Sequence, residues 1–472
     1  IKNWKMSRGD ADITDGLNVK QIFYGCTKFN GDVSGWEIKD PNDFYRCFWG
    51  CNEFIGLGIQ SWNINCHSGV LFSMAEMFKN NYKLGDNLDI DLSHSTTGWD
   101  STYVSRVDSL FYGCWRLGNN SVFKMNNWNL QNCTKTNGCF HSAFGRNISG
   151  YSTNGQEVKN WTLGQNSSNA DNVTCTNTFA WTETGMNVDV TGWTINNPDS
   201  MTHFFYKSAD FQGIGIDSWT INCPKGTLYS VNYMFNGANS FDKSLDFMDT
   251  QFVSSWTGFF SSTQFLSVAN IDATFLAWES KTFYGTPTIA FGSNYYSLDG
   301  WRSKARIKQN KGVTLNANFL TPFEFYDNNP STNVNEDSSY TAYTPGDVSP
   351  LTVSVSKPNW LSWNGTTLSG TPQNDDVGTN TVTFSITDGT DTEQYTYNII
   401  VANTNDAPVF TSTPPATVNE DSAYNYTPTG SDVDVGDSNN LTFSLHDKNE
   451  YGPAWLNWNG TKLSGTPTNS NV

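Results

Sequence analysis

The sequence predicts a mainly β chain in two parts: stacked short repeats forming a solenoid with short helices, then tandem β-sandwiches. Three observations predict it. A Phe-aromatic-Gly-Cys phrase followed by a Trp-centred strand returns every roughly 25 to 35 residues through the first two thirds of the chain. A second period of 157 positions lies above the first. In the last third both give way to alternating β-branched runs punctuated by Gly, Pro and Asp.

The first phrase appears as Phe23-Tyr24-Gly25-Cys26, Phe48-Trp49-Gly50-Cys51 and Phe111-Tyr112-Gly113-Cys114, each leading to a strand centred on Trp36, Trp62 or Trp128. Trp and Ile two positions apart share one face of a strand, whereas Met74, Met77 and Phe78 stand at helical spacing. Each repeat therefore reads as one strand plus a helical turn. Neither element buries its apolar face alone, so the repeats must stack into a continuous core. Trp36 and Trp193, Phe48 and Phe205, Trp62 and Trp219, Cys66 and Cys223, and Phe78 and Phe235 are each 157 positions apart, which implies that a block of repeats was duplicated whole.

The phrase over residues 23–36 resembles the BspA-like leucine-rich-repeat family. Over residues 1–318 that resemblance implies a right-handed, leucine-rich-repeat-like solenoid of the kind found in surface proteins of bacteria, protists and large viruses, with a closing cap from about residue 282. Longer loops, such as residues 145–156, depart from the family's regularity.

From residue 319 a different repeat takes over. Val334-Asn335-Glu336-Asp337 recurs as Val418-Asn419-Glu420-Asp421, and Trp360-Leu361-Ser362-Trp363 recurs as Trp455-Leu456-Asn457-Trp458, each followed by Leu-Ser-Gly-Thr-Pro. Short alternating strands at this spacing read as a β-sandwich. With Asn403-Thr404-Asn405-Asp406-Ala407-Pro408 between them, the copies resemble Ig-like and dystroglycan-type cadherin-like modules, one over 319–405 and a second, truncated one over 406–472.

One constellation carries chemistry. The linker with Asn405 and Asp406, together with the loop Asp432-Val433-Asp434-Val435-Gly436-Asp437, offers the mixture of carboxylate, amide and carbonyl oxygens that Ca2+ requires in a shell of six to eight ligands. The cadherin-like resemblance adds Glu336 and Asp388, and assigns Glu420 to a later joint. The same residues also suit turns held by local hydrogen bonds alone. The first module has Pro345-Gly346-Asp347 in place of the double-Asp loop, so no calcium site is expected where the solenoid ends.

Charge narrows the partners. With 45 acidic and 27 basic residues the net charge is −18, which repels nucleic acid and favours cations. Only 15% of residues are charged, against about a quarter in ordinary soluble proteins. No apolar window approaches the roughly 18 residues of a membrane span, and the first residues lack a signal-peptide pattern. Sequons at Asn119, Asn132, Asn147, Asn160, Asn166, Asn172, Asn364, Asn425, Asn440 and Asn459 mark candidate glycosylation sites. Cys26 and Cys51 occupy one position of successive repeats, so stacking would bring them to bridging distance, although buried free thiols remain the alternative. The five histidines, His67, His94, His141, His203 and His446, are scattered and form no catalytic motif.

The expected protein is thus non-enzymatic and extracellular or cell-surface: a structural subunit of a filament, appendage or sheath, partnered by copies of itself or other matrix proteins. The alternative is an adhesin that stacks glycans, or a host receptor, on Trp99, Trp115 and Trp181.

Overall fold

The computed structural model describes residues 1–7, 17–66, 70–95, 97–145, 155–182, 186–261, 266–319, 330–344, 349–434, 440–446 and 452–472. Asn147, His67, Asp437 and residues 345–347 fall outside them. The chain divides into two compact units, Ile1–Thr321 and Pro322–Val472.

In the first unit the Trp-centred phrases become strands of two or three residues that pair in parallel. Lys5–Met6, Glu37–Lys39 and Asn63–Asn65 form one ladder, and Asn129–Leu130, Thr162–Leu163, Thr194–Asn196 and Thr220–Asn222 another, with Ile195 opposite Ile221 and Leu163. Parallel strands stand about 4.8 Å apart. Identical side chains in successive repeats therefore meet face to face. Trp4, Trp36, Trp62, Trp99, Trp128, Trp161, Trp193 and Trp219 make one column with ring separations from 4.8 to 6.3 Å. A Phe column runs beside it through Phe48, Phe78, Phe111, Phe140, Phe179 and Phe205. Each such pair adds about 0.5–1.5 kcal/mol beyond its buried area. A buried indole N–H also needs a partner, and within this column the preceding repeats supply one: Trp62 donates to Val33 O at 2.9 Å, Trp128 to Leu92 O at 2.7 Å and Trp161 to Met125 O at 2.6 Å.

The helical turn expected at Met74, Met77 and Phe78 is not formed. Glu76 and Asn80 take left-handed conformations, φ +55° and +62°, which an α-helix of L-residues does not accommodate. The segment is a run of turns whose carbonyls accept from the neighbouring repeat, as when Phe48 N donates to Met77 O. In the Phe-x-Gly phrase the glycine supplies this same conformation at Gly25, Gly50 and Gly113; Ser142, Trp181 and Lys207 adopt it in other repeats.

The 157-residue duplication is visible element by element. Short 3-10 turns at Ile59–Ser61 and Ile216–Ser218 follow left-handed Gly58 and Gly215. A Cβ on Gly58 would lie 2.4 Å from Ser34 N, and one on Gly215 would lie 2.5 Å from Thr191 N. Gly58→Ala or Gly215→Ala should each cost about 3 kcal/mol in urea unfolding, from the left-handed backbone and the overlap together. A loss below about 0.5 kcal/mol, the size of an ordinary surface change, would mean that the repeats separate freely.

Lys2 pairs with Asp32 at 2.7 Å and Ser34 N donates to Asp32 at 2.8 Å; Lys159, Asp189 and Thr191 repeat the arrangement at 3.0 Å and 3.0 Å. Lys2, then the Ser34 hydroxyl and amide, hold the Asp32 carboxyl at about 2, below its ordinary 3.8. A depressed carboxylate stabilises the fold above its unfolded value and loses that contribution as pH falls. The first repeat should therefore loosen between about pH 4 and pH 2. An NMR titration of Asp32 checks this, and Lys2→Met should move its midpoint upward.

The unit ends in two helices, α1 (Val268–Glu279) and α2 (Leu298–Lys311), which pack on each other and on the parallel strands Thr288–Tyr296 and Thr314–Phe319. The helical region begins at Val268. Ser267 caps α1 by accepting from Asn270 N, and Asp242 of the preceding repeat in turn accepts from Ser267 N. Asp272 on α1 does the same for Ser297, the cap of α2.

All nine cysteines are free thiols. Cys26 is exposed, whereas Cys51 lies inside and donates from Sγ to Phe23 O at 3.1 Å, so the pair expected to bridge stands unbonded. Burial pushes the Cys51, Cys66, Cys133 and Cys175 thiols up to about 12, which keeps them protonated and unreactive.

In the second unit, strands Asn333–Asn335, Thr392–Ala402, Gly378–Thr387 and Thr352–Ser356 form one sheet in that order. The hairpin Leu361–Trp363 with Leu368–Gly370 lies apart from it, and Phe384 packs edge-on against Trp363 at 5.5 Å and Tyr343 at 5.8 Å. Beyond residue 405 the hairpin recurs as Leu456–Trp458 and Leu463–Gly465, paired with Tyr424–Tyr426. No helix among the described residues is long and apolar enough to cross a membrane.

Candidate metal centre

Asn333–Asn335 runs parallel to the end of the long strand Thr392–Ala402, with Asn335 opposite Ala402. This register places Glu336, the next residue, beside the linker that leaves the first module. Glu336 accepts from Thr404 N, Asp406 N donates to Asp434 at 2.8 Å, and Asn403 donates to Asp434 at 2.9 Å. Glu336, Asp406 and Asp434 each offer a carboxylate oxygen within 4.8 Å of the others. Glu336 is 1% exposed and Asp434 3%, and Glu336 Oε2 is buried without a hydrogen-bond partner. Three carboxylates this close, two of them buried and Asp406 partly exposed, repel one another unless a cation lies between them, and hard oxygen donors suit Ca2+ or another divalent ion.

The six residues singled out in the sequence are not all brought together. Asp432 accepts from Asp434 N at 3.0 Å and so shapes the loop that presents Asp434. Asn405 is exposed and donates to Asp406 O. Asp388 caps the Thr387/Thr392 turn by accepting from Thr390 N and Asp391 N, at the far end of an eleven-residue strand. About 30 Å of extended chain separates it from the joint. Asn374 was missed: its Nδ2 donates to Asp406 at 3.0 Å, and its Oδ1 is buried without a partner beside the cluster. The acid-rich turn after Thr371-Pro372 is the signal that could have found it. Glu420, the second copy of Glu336, is exposed.

Other candidates resolve into packing. Trp99 is 3% exposed within the Trp column; Trp115 stacks on Tyr82 at 4.5 Å; Trp181 lies 3.9 Å beneath the Lys207 ammonium. Trp99 is enclosed, and Trp115 and Trp181, though partly exposed, each hold a neighbour against the ring. Asn119 is buried and its Nδ2, the atom that would carry a glycan, donates to Asp86 at 2.8 Å, which overturns that sequon as a site. Asn132, Asn160, Asn166, Asn172, Asn364, Asn425, Asn440 and Asn459 are at least partly exposed. A Ser–His–Asp grouping does occur at Ser101, His94 and Asp100. Ser101 and Asp100 both approach the same ring nitrogen, Nδ1, at 3.0 and 4.0 Å, whereas a relay needs one partner on each nitrogen. Ser101 is also buried.

A repeat protein with an Ig-like module is the class these features define. The chain belongs to the family described as "Mycoplasma protein of unknown function, DUF285", which matches residues 17–152 and 150–274, more than half its length. Residues 314–402 match the family described as "Putative Ig domain". No curated protein matches the chain. Among solved structures it is similar to the endo-fucoidan hydrolase MfFcnA4 from glycoside hydrolase family 107, at 23% identity over 34% of this chain and 28% of that one, TM-score 0.15. Sidekick-1 immunoglobulin domains 1–4 align at 13% identity over 33% and 45%, TM-score 0.16. The chain spans less than half of either, and likenesses at these scores carry no argument about function.

Proposed function

We propose that this chain is a non-catalytic structural protein of the cell surface or extracellular space. Residues 1–318 form a right-handed solenoid, and Ig-like, cadherin-related modules over 319–405 and 406–472 follow it. Calcium held by Glu336, Asp406 and Asp434 stiffens their joint. The observation that carries the reading is the aromatic core, in which each repeat completes its neighbour. Such a chain grows by stacking and transmits load along its length, which suits a filament, appendage or sheath. The exposed sequons fit a secreted glycoprotein. Family membership is consistent with surface exposure. The adhesin alternative has less support, because the three tryptophans that would stack on sugars are occupied. Cryo-electron microscopy of native material tests the proposal: regular contacts between copies are expected, and isolated particles would send the function back to ligand binding.

A further inference from the structure

The hairpin that recurs in the second unit carries nearly the same tip twice, Asn364-Gly365-Thr366-Thr367 and Asn459-Gly460-Thr461-Lys462. In both, the asparagine side chain folds back over the turn. Asn364 Oδ1 accepts from Thr366 N at 2.9 Å, Thr366 Oγ1 at 3.0 Å and Thr367 N at 2.7 Å. Asn459 Oδ1 accepts from Thr461 N at 3.0 Å, Thr461 Oγ1 at 3.1 Å and Lys462 N at 2.8 Å. A side-chain turn needs only one such bond. Three donors on one amide oxygen, at the distances that hold an oxyanion, draw electrons from Cγ and favour any step that puts negative charge on Oδ1.

The neighbouring groups suit an attack on that carbon. The next residue is a glycine at φ +100° or +96°, and a Cβ added to either would meet nothing within 4 Å. Gly365 and Gly460 are exposed, and their amides donate to no described residue. A glycine amide is the least hindered backbone nucleophile, and the chain tethers it to Cγ through what becomes a five-membered ring. The groups that would leave, Asn364 Nδ2 and Asn459 Nδ2, likewise donate to no described residue. The other Asn-Gly bonds among the described residues lack this set. Gly138 N is engaged with Thr176 O at 2.9 Å; Asn236 is buried and its Nδ2 donates to Ser261 Oγ; Asn30 Oδ1 accepts from Ile55 N alone.

We propose that Asn364-Gly365 and Asn459-Gly460 are self-modifying sites, at which the chain closes a succinimide and converts its own asparagine to aspartate and isoaspartate. Hydroxide takes the proton of Gly365 N, and the nitrogen bonds to Asn364 Cγ, placing the charge on Oδ1 among its three donors. Collapse breaks the Cγ–Nδ2 bond, and the nitrogen takes a proton from water and departs as ammonia. Water then opens one of the two ring carbonyls. The net change is asparagine plus water to a carboxylic acid plus ammonia, with no oxidant or reductant. It adds a negative charge to the tip, and the isoaspartyl product inserts one more carbon into the backbone of a hairpin whose Trp363 packs on Phe384. Nδ2 is also the atom that a glycan would occupy, so glycosylation and this conversion exclude one another at the same residue.

The test uses the full chain from a bacterial host, without glycans, incubated in mildly alkaline buffer and followed by peptide mapping with mass spectrometry that separates aspartyl from isoaspartyl products. Conversion at Asn364 and Asn459 is expected to run about ten-fold ahead of Asn137 and Asn236. Thr366→Val keeps the Asn-Gly pair and removes one donor, so it should slow Asn364 about five-fold and leave Asn459 of the same molecule unchanged. Thr461→Val should do the reverse. Thr366→Ser, which keeps the hydroxyl, should restore the wild-type rate, and equal urea midpoints for all variants separate loss of the donor from loss of the hairpin. Hairpin rates no higher than those at Asn137 and Asn236 overturn the inference, as do rates that Thr366→Val leaves unmoved. Neither result bears on the structural-protein reading, which contacts between copies decide.

Discussion

Calcium at about one hundred times its dissociation constant is expected to stabilise the Pro322–Val472 unit by about 2.7 kcal/mol, and chelation to remove the gain. The size follows from mass action, because folding alone brings Glu336, Asp406 and Asp434 together from distant parts of the chain. The sign in variants is more telling than the size. Without metal, Glu336 is a buried carboxylate beside two others, so Glu336→Gln relieves repulsion and should unfold at equal or higher denaturant than wild type in chelator. In calcium the order should invert, because the variant has lost a ligand. Denaturant melts of both proteins with calcium and with chelator give four midpoints. A Glu336→Gln variant less stable than wild type in both conditions would make Glu336 an ordinary hydrogen-bond acceptor for Thr404 N and remove the metal from the account.

Trp161→Ala is expected to cost the repeat unit about 3–5 kcal/mol. Trp161 is fully buried between Trp128 at 5.9 Å and Trp193 at 4.8 Å, and its indole N–H donates to Met125 O. Alanine leaves a cavity in the middle of the column, where repeats on both sides are held and cannot close on it. Trp161→Phe retains most of the stack and loses the hydrogen bond, so about 1–2 kcal/mol is expected. Urea unfolding followed by far-ultraviolet circular dichroism separates the two. Equal losses would assign the column's strength to the N–H···O ladder, and losses below about 1 kcal/mol for both would mean that the repeats are held together elsewhere.

Much of this was legible in the sequence because a stacked repeat writes its contacts into its period. The interval from Trp36 to Trp62 is the distance along the chain between two rings that touch at 4.8 Å, and the 157-residue offset reappears in paired turns at Ile59–Ser61 and Ile216–Ser218. The acidic joint was legible in part, since Asp406 and Asp434 lie in Asx-rich segments that only a turn or a cation explains. What the period hides is backbone conformation. Met74, Met77 and Phe78 have helical spacing, yet left-handed Glu76 turns the chain toward its neighbour, because a hydrogen bond to the next repeat satisfies the backbone as well as one within a helix would.

The sequence by itself determined the stacking and the change of repeat near residue 320, because each depends on residue type at a regular interval, and it showed that the segments around Asp406 and Asp434 are rich in oxygen donors. Tertiary structure decided which oxygens converge. The parallel register of Asn335 with Ala402 brings Glu336 to the linker, and Asn374 arrives from a turn far away in sequence. The same long strand carries Asp388 about 30 Å in the other direction. Register across a sheet is a long-range property. No local pattern in the chain encodes it.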